Sequence, residues 1–210
     1  MSRVLVACEY SGIVRRAFAH RGFDAWSCDL LPAEDRSNKH IVGDARQILN
    51  DGWDLLIVAH PPCTRLCKSG LRWLHAAPKG KTLEQMHADL RDGAELFSTF
   101  WNAPIERICV ENPAMHRHAK ALIVNYREPA QWVEPWQFGH PETKKTGLWL
   151  KNLPALRATE IVEGRERRVH RMTGWQPAEQ RRRERSRFFA GIAAAMANQW
   201  GDLLDAKVAA

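Results

Sequence analysis

Through its first half the chain alternates short apolar, β-rich runs with helical stretches, and polar residues close each run. Residues 4–8 (VLVAC) read as a strand and residues 12–22 (GIVRRAFAHRG) as a helix closed by Gly22. Residues 24–30, 40–44 and 53–62 read as further strands, 82–101 as a long helix, and 107–113 (RICVENP) as a fifth strand. Strands separated by helices become parallel neighbours, because a crossover returns the chain to the same edge. The expected fold class is therefore α/β, an open, doubly wound, mostly parallel sheet. Ligands of such sheets bind beyond the carboxyl ends of the strands, here Glu9 to Gly12, Asp29, Asp44, His60 to Cys63 and Glu111 to Pro113.

A length of 210 residues with 45% hydrophobic content suits one sizeable core. The expected division is a catalytic-type core over 1–150, a short basic insert over 151–185 and a terminal helix over 186–210 packing back on the core. Internal repeats and low-complexity linkers are absent from the sequence. The longest apolar runs, such as Leu55 to Ala59, are too short to cross a bilayer, and the N-terminus lacks the pattern of a signal peptide. The expectation is a cytoplasmic protein without a membrane partner. The five cysteines, at 8, 28, 63, 67 and 109, are odd in number and mostly lie in strand-like surroundings, which favours reduced thiols over a disulfide framework. The oligomeric state is open, a monomer being the simpler expectation.

Charge is concentrated. Residues 151–187 hold eleven Lys or Arg against five Glu, which accounts for six of the seven net positive charges in 37 residues. Such a segment suits a polyanion, because each phosphate neutralised releases condensed counterions; it also suits a merely solvated basic helix.

Each strand end carries its own chemistry. An acid after the second strand is placed to accept from two vicinal ribose hydroxyls, and Asp29 stands there. Asp44, after the third, can accept from an adenine amino group, and the turn of Glu9, Tyr10, Ser11 and Gly12 brings backbone close to a ligand. The turn lacks GxGxxG spacing, so a nucleoside without a diphosphate is expected, and S-adenosylmethionine fits. Taken singly, each Asp also reads as a turn or helix cap. Cys63 follows Pro61 and Pro62 after the most apolar strand, which holds its thiol in a stiff loop. Attack of that thiol on carbon 6 of a pyrimidine would make carbon 5 electron-rich. An inert cysteine is the plain alternative. His60, Cys63 and Cys67 with His75 could suggest zinc, but a second Cys pair is missing, so no metal is expected. A Cys/His hydrolase is conceivable, though nothing orients a particular His. Glu111 ends the fifth strand, where a protonated carboxyl could bond N3 and the amine of a cytosine, or a glutamate could simply cap a helix.

The order of these motifs resembles the DNA cytosine-5 methyltransferases over nearly the whole chain. VLVACEYSG stands where that family has its first cofactor loop, Asp29 and Leu30, Asp44 and Pro61 where later cofactor contacts fall, and PPCTRLCKSG at the proline-cysteine nucleophile loop. ENP matches Glu-Asn-Val in two of three residues, QFGHPETKK resembles the Phe-Gly-x-Pro segment, and GIAAAMANQW looks like the last motif. The resemblance implies the Rossmann-like fold of S-adenosylmethionine-dependent methyltransferases. It also implies a DNA substrate and catalytic roles for Cys63, Pro62, Glu111 and Asn112. Lys144 and Thr146 occupy places where the family commonly has arginines.

The family's large target-recognition region is reduced here to about 35 residues. A short basic insert can neutralise phosphates but offers few side chains for reading base edges, so weak sequence specificity is expected. Arg167, Arg168, Arg171, Arg181, Arg182 and Arg183 are candidates for phosphate contact, and Trp175 for stacking where a base has left the duplex or for plain core packing. A small, weakly specific enzyme of this kind suits a phage or prophage. Alternatives are pyrimidine C5 modification with a modified S-adenosylmethionine, a non-catalytic DNA-binding protein of this fold, and a zinc-binding nucleic-acid module.

Overall fold

The computed structural model describes residues 1–168 and 184–208. Seven strands form one sheet: β1 (Arg3–Ala7), β2 (Asp24–Asp29), β3 (His40–Val42), β4 (Leu55–Val58), β5 (Arg107–Asn112), β6 (Gln131–Val133) and β7 (Thr146–Lys151). Their order is β3-β2-β1-β4-β5-β7-β6. The first five are parallel, and β7 runs antiparallel between β5 and β6. This is the expected doubly wound, mostly parallel, Rossmann-like α/β sheet, with two strands more than the sequence pattern indicated. Both extra strands come from residues 131–151, a stretch without clear alternation. β7 (TGLWLK) is buried over its first four residues, and a strand covered on both faces has no polar side to announce it.

Helices cover both faces. On one side α1 (Ile13–His20) and the last helix, α4 (Ala190–Val208), pack on Val4, Val6, Leu55, Ile57 and Cys109. On the other, α2 (Leu83–Trp101) and α3 (Arg117–Leu122) bury Met86, Leu90, Phe97 and Ala119 with Leu5, Leu56, Val58, Ile108 and Val110. Every residue of β4 is buried, as expected of a central parallel strand. The long helix begins where the sequence places it: Thr82 Oγ1 accepts from the Gln85 N–H at 3.1 Å and Gln85 Oε1 accepts from the Thr82 N–H at 3.0 Å. A reciprocal cap of this type contributes about 1 kcal/mol. The terminal helix starts at Ala190 rather than near residue 186, and α3 is a short helix that the sequence pattern did not indicate.

The beginning of the basic stretch is built into the fold. Leu156 is buried, Trp200 Nε1 donates to the Pro154 carbonyl at 3.0 Å, and Gly139 N donates to the Glu160 carbonyl at 2.9 Å. Among the described residues no helix is long and apolar enough to cross a membrane.

Candidate active site

The parallel register places the ends of β1, β2 and β3 side by side on one half of the carboxyl edge, and those of β4 and β5 on the other. The first half holds the predicted nucleoside contacts. Asp29 is half-buried and accepts from the Leu31 N–H at 3.0 Å; burial pushes its carboxyl above the usual range, against the backbone hydrogen bond. Leu30 beside it leaves 76% of its surface exposed, an apolar platform at a polar edge. Asp44 caps the 3₁₀ turn Ala45–Ile48 and pairs with Arg46, whose hydrogen bonds hold its carboxyl below the usual range. Cys8, in a left-handed turn at φ 56°, lies between them: burial and then Asp29, Cys28 and Asp44 push its thiol up.

Two predicted contacts are accounted for by local structure. Glu9 is fully buried and accepts from the N–H groups of Val14 and Arg15 at 2.7 and 3.1 Å, so both oxygens serve the N-terminus of α1, where orphan donors and the helix dipole favour an anion. Gly12 caps that helix at φ 67°, and a Cβ there would meet the Arg15 guanidinium at 2.6 Å. Arg15 in turn binds Ser27, Ser37 and Asp35, tying the loop after β2 to α1. Tyr10 and Ser11 are buried within the same turn. The ring of Pro61 is buried, and Pro62 is exposed.

The second half gathers what the sequence scatters over residues 60–146. Antiparallel pairing sets Glu111 opposite Leu148 and Asn112 opposite Gly147, so the amino end of β7 lies at the carboxyl end of β5. Lys144 and Thr146 are thereby brought to Glu111. Burial pushes the Glu111 carboxyl above the usual range, with Lys144 and a hydrogen bond from Thr146 working against it. Thr146 Oγ1 also lies 3.0 Å from the Lys144 carbonyl. Asn112 has no exposed surface, and neither side-chain polar atom meets a partner. Glu111, Lys144, Thr146 and Phe188 line a narrow cleft of about 10 Å³. The roomier hollow of about 620 Å³ lies on the α2–α3 face, away from these groups.

Cys63 is held by its own loop. The N–H groups of Leu66 and Cys67 donate to the Cys63 carbonyl at 3.0 and 2.9 Å, and Lys68 N donates to the Ala114 carbonyl at 3.0 Å. His116 Nδ1 accepts from Ala119 N at 3.1 Å, which leaves Nε2 to donate to the Arg65 carbonyl at 2.6 Å. The loop after Cys63 is thus fastened to the segment that follows Glu111. A Cβ at Gly70 would fall 1.9 Å from the Thr64 carbonyl oxygen, so only glycine permits this fold-back.

The two thiols of the loop share a proton unequally. A hydrogen bond with Cys67, then burial, then the Glu111 and Cys67 charges push Cys63 up, with Lys144 opposing. Cys67 is lowered to about 5 by the Cys63 hydrogen bond, with the Ser69 hydroxyl 3.0 Å from its sulfur and the N–H groups of Gly70 and Ser69 adding to it. Both shifts favour a thiolate at Cys67 over one at Cys63. Sequence reading considered Cys67 only as a metal ligand and missed this role; the available signal was the polar CKSG turn after it. Among the described residues no three His, Cys, Asp or Glu side chains are arranged to hold a metal.

Of the predicted DNA contacts, Arg167 and Arg168 are exposed, and Arg168 pairs with Glu142 at 3.1 Å. Arg171, Trp175, Arg181, Arg182 and Arg183 lie outside the described residues.

No protein-family model and no curated protein matches this chain. Solved structures do. One is that of a candidate DNA modification methyltransferase encoded within a prophage (E. coli), 17% identical with a TM-score of 0.44, matching 71% of this chain and 46% of its own. The chain thus spans less than half the length of that protein. So distant a likeness identifies no function, and the fold stands on the observed sheet order.

Proposed function

We propose that this chain modifies carbon 5 of cytosine in DNA, with Cys63 adding covalently to carbon 6 and S-adenosylmethionine as the group donor. The observation that carries the reading is the convergence of Cys63, Glu111, Lys144 and Thr146 where β4, β5 and β7 meet. A Glu111 carboxyl raised by burial holds a proton more readily, and sharing it with N3 of the ring would offset the negative charge that thiol addition otherwise leaves there. Cys63 gives its proton to Cys67 as its sulfur bonds to carbon 6, and Cys67 hands that proton back to the Cys63 thiolate when the C6–S bond breaks, which restores the resting pair. The Lys144 cation favours a negative sulfur at Cys63.

The other half of the edge suits a nucleoside. Asp29 would take the ribose hydroxyls, Leu30 would lie against an apolar ring face, and Asp44, Tyr10, Ser11 and Pro61 would border the rest. Bound there, S-adenosylmethionine would supply an electrophilic methyl-type group. A donor carrying a larger group would use the same residues, and nucleoside mass spectrometry separates the two.

Support for DNA comes from two basic stretches of the chain. Besides residues 151–187, the stretch 64–81 carries Arg65, Lys68, Arg72, Lys79 and Lys81 with no acid, and all but Arg65 are exposed. Phosphate contact without a large base-reading region gives weak sequence specificity. The deciding experiment is trapping on duplex DNA containing 5-fluorocytosine with S-adenosylmethionine present. A denaturation-stable adduct on the peptide containing Cys63, absent in Cys63→Ala, is expected. DNA binding without an adduct would instead favour a non-catalytic DNA-binding protein.

A further inference from the structure

We propose that His60 is the base that takes the hydrogen from carbon 5, on the reading above that Cys63 adds to carbon 6. The Nε2 atom of His60 is shut off from solvent and meets no hydrogen-bond partner, although a buried imidazole nitrogen ordinarily finds one. The ring is packed against Phe188 at a centroid distance of 5.6 Å. Phe188 also lines the cleft that contains Glu111, Lys144 and Thr146. A buried nitrogen without a partner, one ring away from the cleft, is what remains when its partner arrives with a substrate.

The protonation state suits a base. Burial, then the nearby Lys144 charge, holds His60 well below the usual imidazole range, so one ring nitrogen presents a lone pair. Position suits it too. Only Pro61 and Pro62 separate His60 from Cys63, and the two pyrrolidine rings stiffen the connection. Addition that places sulfur and the incoming group on opposite faces of the pyrimidine leaves the carbon 5 hydrogen on the sulfur's face, so the base has to come from the Cys63 side of the ring. Neighbouring groups are engaged otherwise: Glu111 holds a proton for N3, Lys144 as an ammonium has no lone pair, and Cys67 has just accepted the Cys63 proton.

The step balances. A His60 nitrogen takes the carbon 5 proton, the C5–H electron pair forms the C5–C6 double bond, and the C6–S bond breaks to release Cys63 as a thiolate. Without the base, addition and group transfer proceed and elimination stops.

The test uses the full chain with His60→Gln and His60→Ala. On ordinary cytosine DNA with S-adenosylmethionine, both variants are expected to accumulate a denaturation-stable adduct whose mass includes the transferred group. Release of tritium from [5-³H]cytosine should fall about 100-fold or more, the scale of a lost general base. Trapping on 5-fluorocytosine DNA precedes elimination and should stay within about twofold of the parent, which also shows that the variants fold. Parental turnover in His60→Gln would overturn the proposal. So would loss of 5-fluorocytosine trapping together with turnover, because His60 would then act at or before addition. Failure of the parent itself to trap would remove the thiol chemistry and this step with it, an outcome distinct from either variant result.

Discussion

The two halves of the sheet's carboxyl edge differ in how their polar groups are held. At β1–β3, Asp29 is half-buried, but Asp44 is paired with an exposed Arg46 and Leu30 stands in solvent, so the outer part of the surface is open. At β4, β5 and β7, Glu111, Asn112 and His60 Nε2 are enclosed, and burial shifts Glu111 up and His60 down. An exposed, self-paired edge suits a ligand that is bound and released. A buried edge with shifted protonation suits proton transfer, because low dielectric strengthens each interaction and strands any group without a partner.

The largest effect should come from the buried half. Replacing Glu111 by Gln, which cannot pass a proton to the ring, should lower adduct formation by about 10² to 10⁴-fold while leaving S-adenosylmethionine affinity within about twofold. Rapid-quench trapping and calorimetry check the two parts. Comparable losses in both would erase the contrast between the halves.

Next comes pH. Adduct formation needs Cys67 charged and Glu111 protonated. The rate should rise as pH passes through about 5, where Cys67 loses its proton, and fall as pH passes through the raised Glu111 value. In Cys67→Ala the acid limb should move to higher pH, because Cys63, raised by burial, must then ionise without a neighbouring acceptor. Trapping rates from pH 4.5 to 9.5, roughly the span over which these thiols and carboxyls titrate, test this. An unmoved limb would remove Cys67 as the acceptor.

On the open half, Asp29→Ala should weaken S-adenosylmethionine binding about 10 to 100-fold, the scale of a hydrogen-bonded charged group, with DNA affinity unchanged. Asp44→Ala should do less, since Arg46 already occupies that carboxylate. Calorimetry that ranked Asp44 above Asp29 would reverse the assignment. The smallest effect is expected at Arg168→Ala. If this exposed residue meets one phosphate, the slope of log affinity against log salt should drop by about 0.9, and less if Glu142 keeps it engaged.

Legibility in the sequence followed the same division. Strand-end residues of the parallel half are announced by apolar runs that stop, so Asp29, Asp44, Cys63 and Glu111 could be picked out from order alone. Glu9 shares that position, yet its carboxylate turns inward to α1, a choice made by two backbone N–H groups that no strand-end rule reveals. Cys67 was visible only as a member of a spacing that suggested metal, and His60 as that and as a strand-end residue. Their environments depend on Phe188, 128 residues away from His60 in the chain, and on a turn whose N–H groups point at sulfur.

What the sequence by itself determined was the parallel half of the sheet, its two helical faces and the residues at its edge, because hydrophobic periodicity and chain order are local. What only the tertiary structure decided was the insertion of β7 between β5 and β6. That pairing joins segments about 40 residues apart and brings Lys144 and Thr146 to Glu111. Burial then fixed which groups hold protons, and burial belongs to the packed chain, not to any stretch of it.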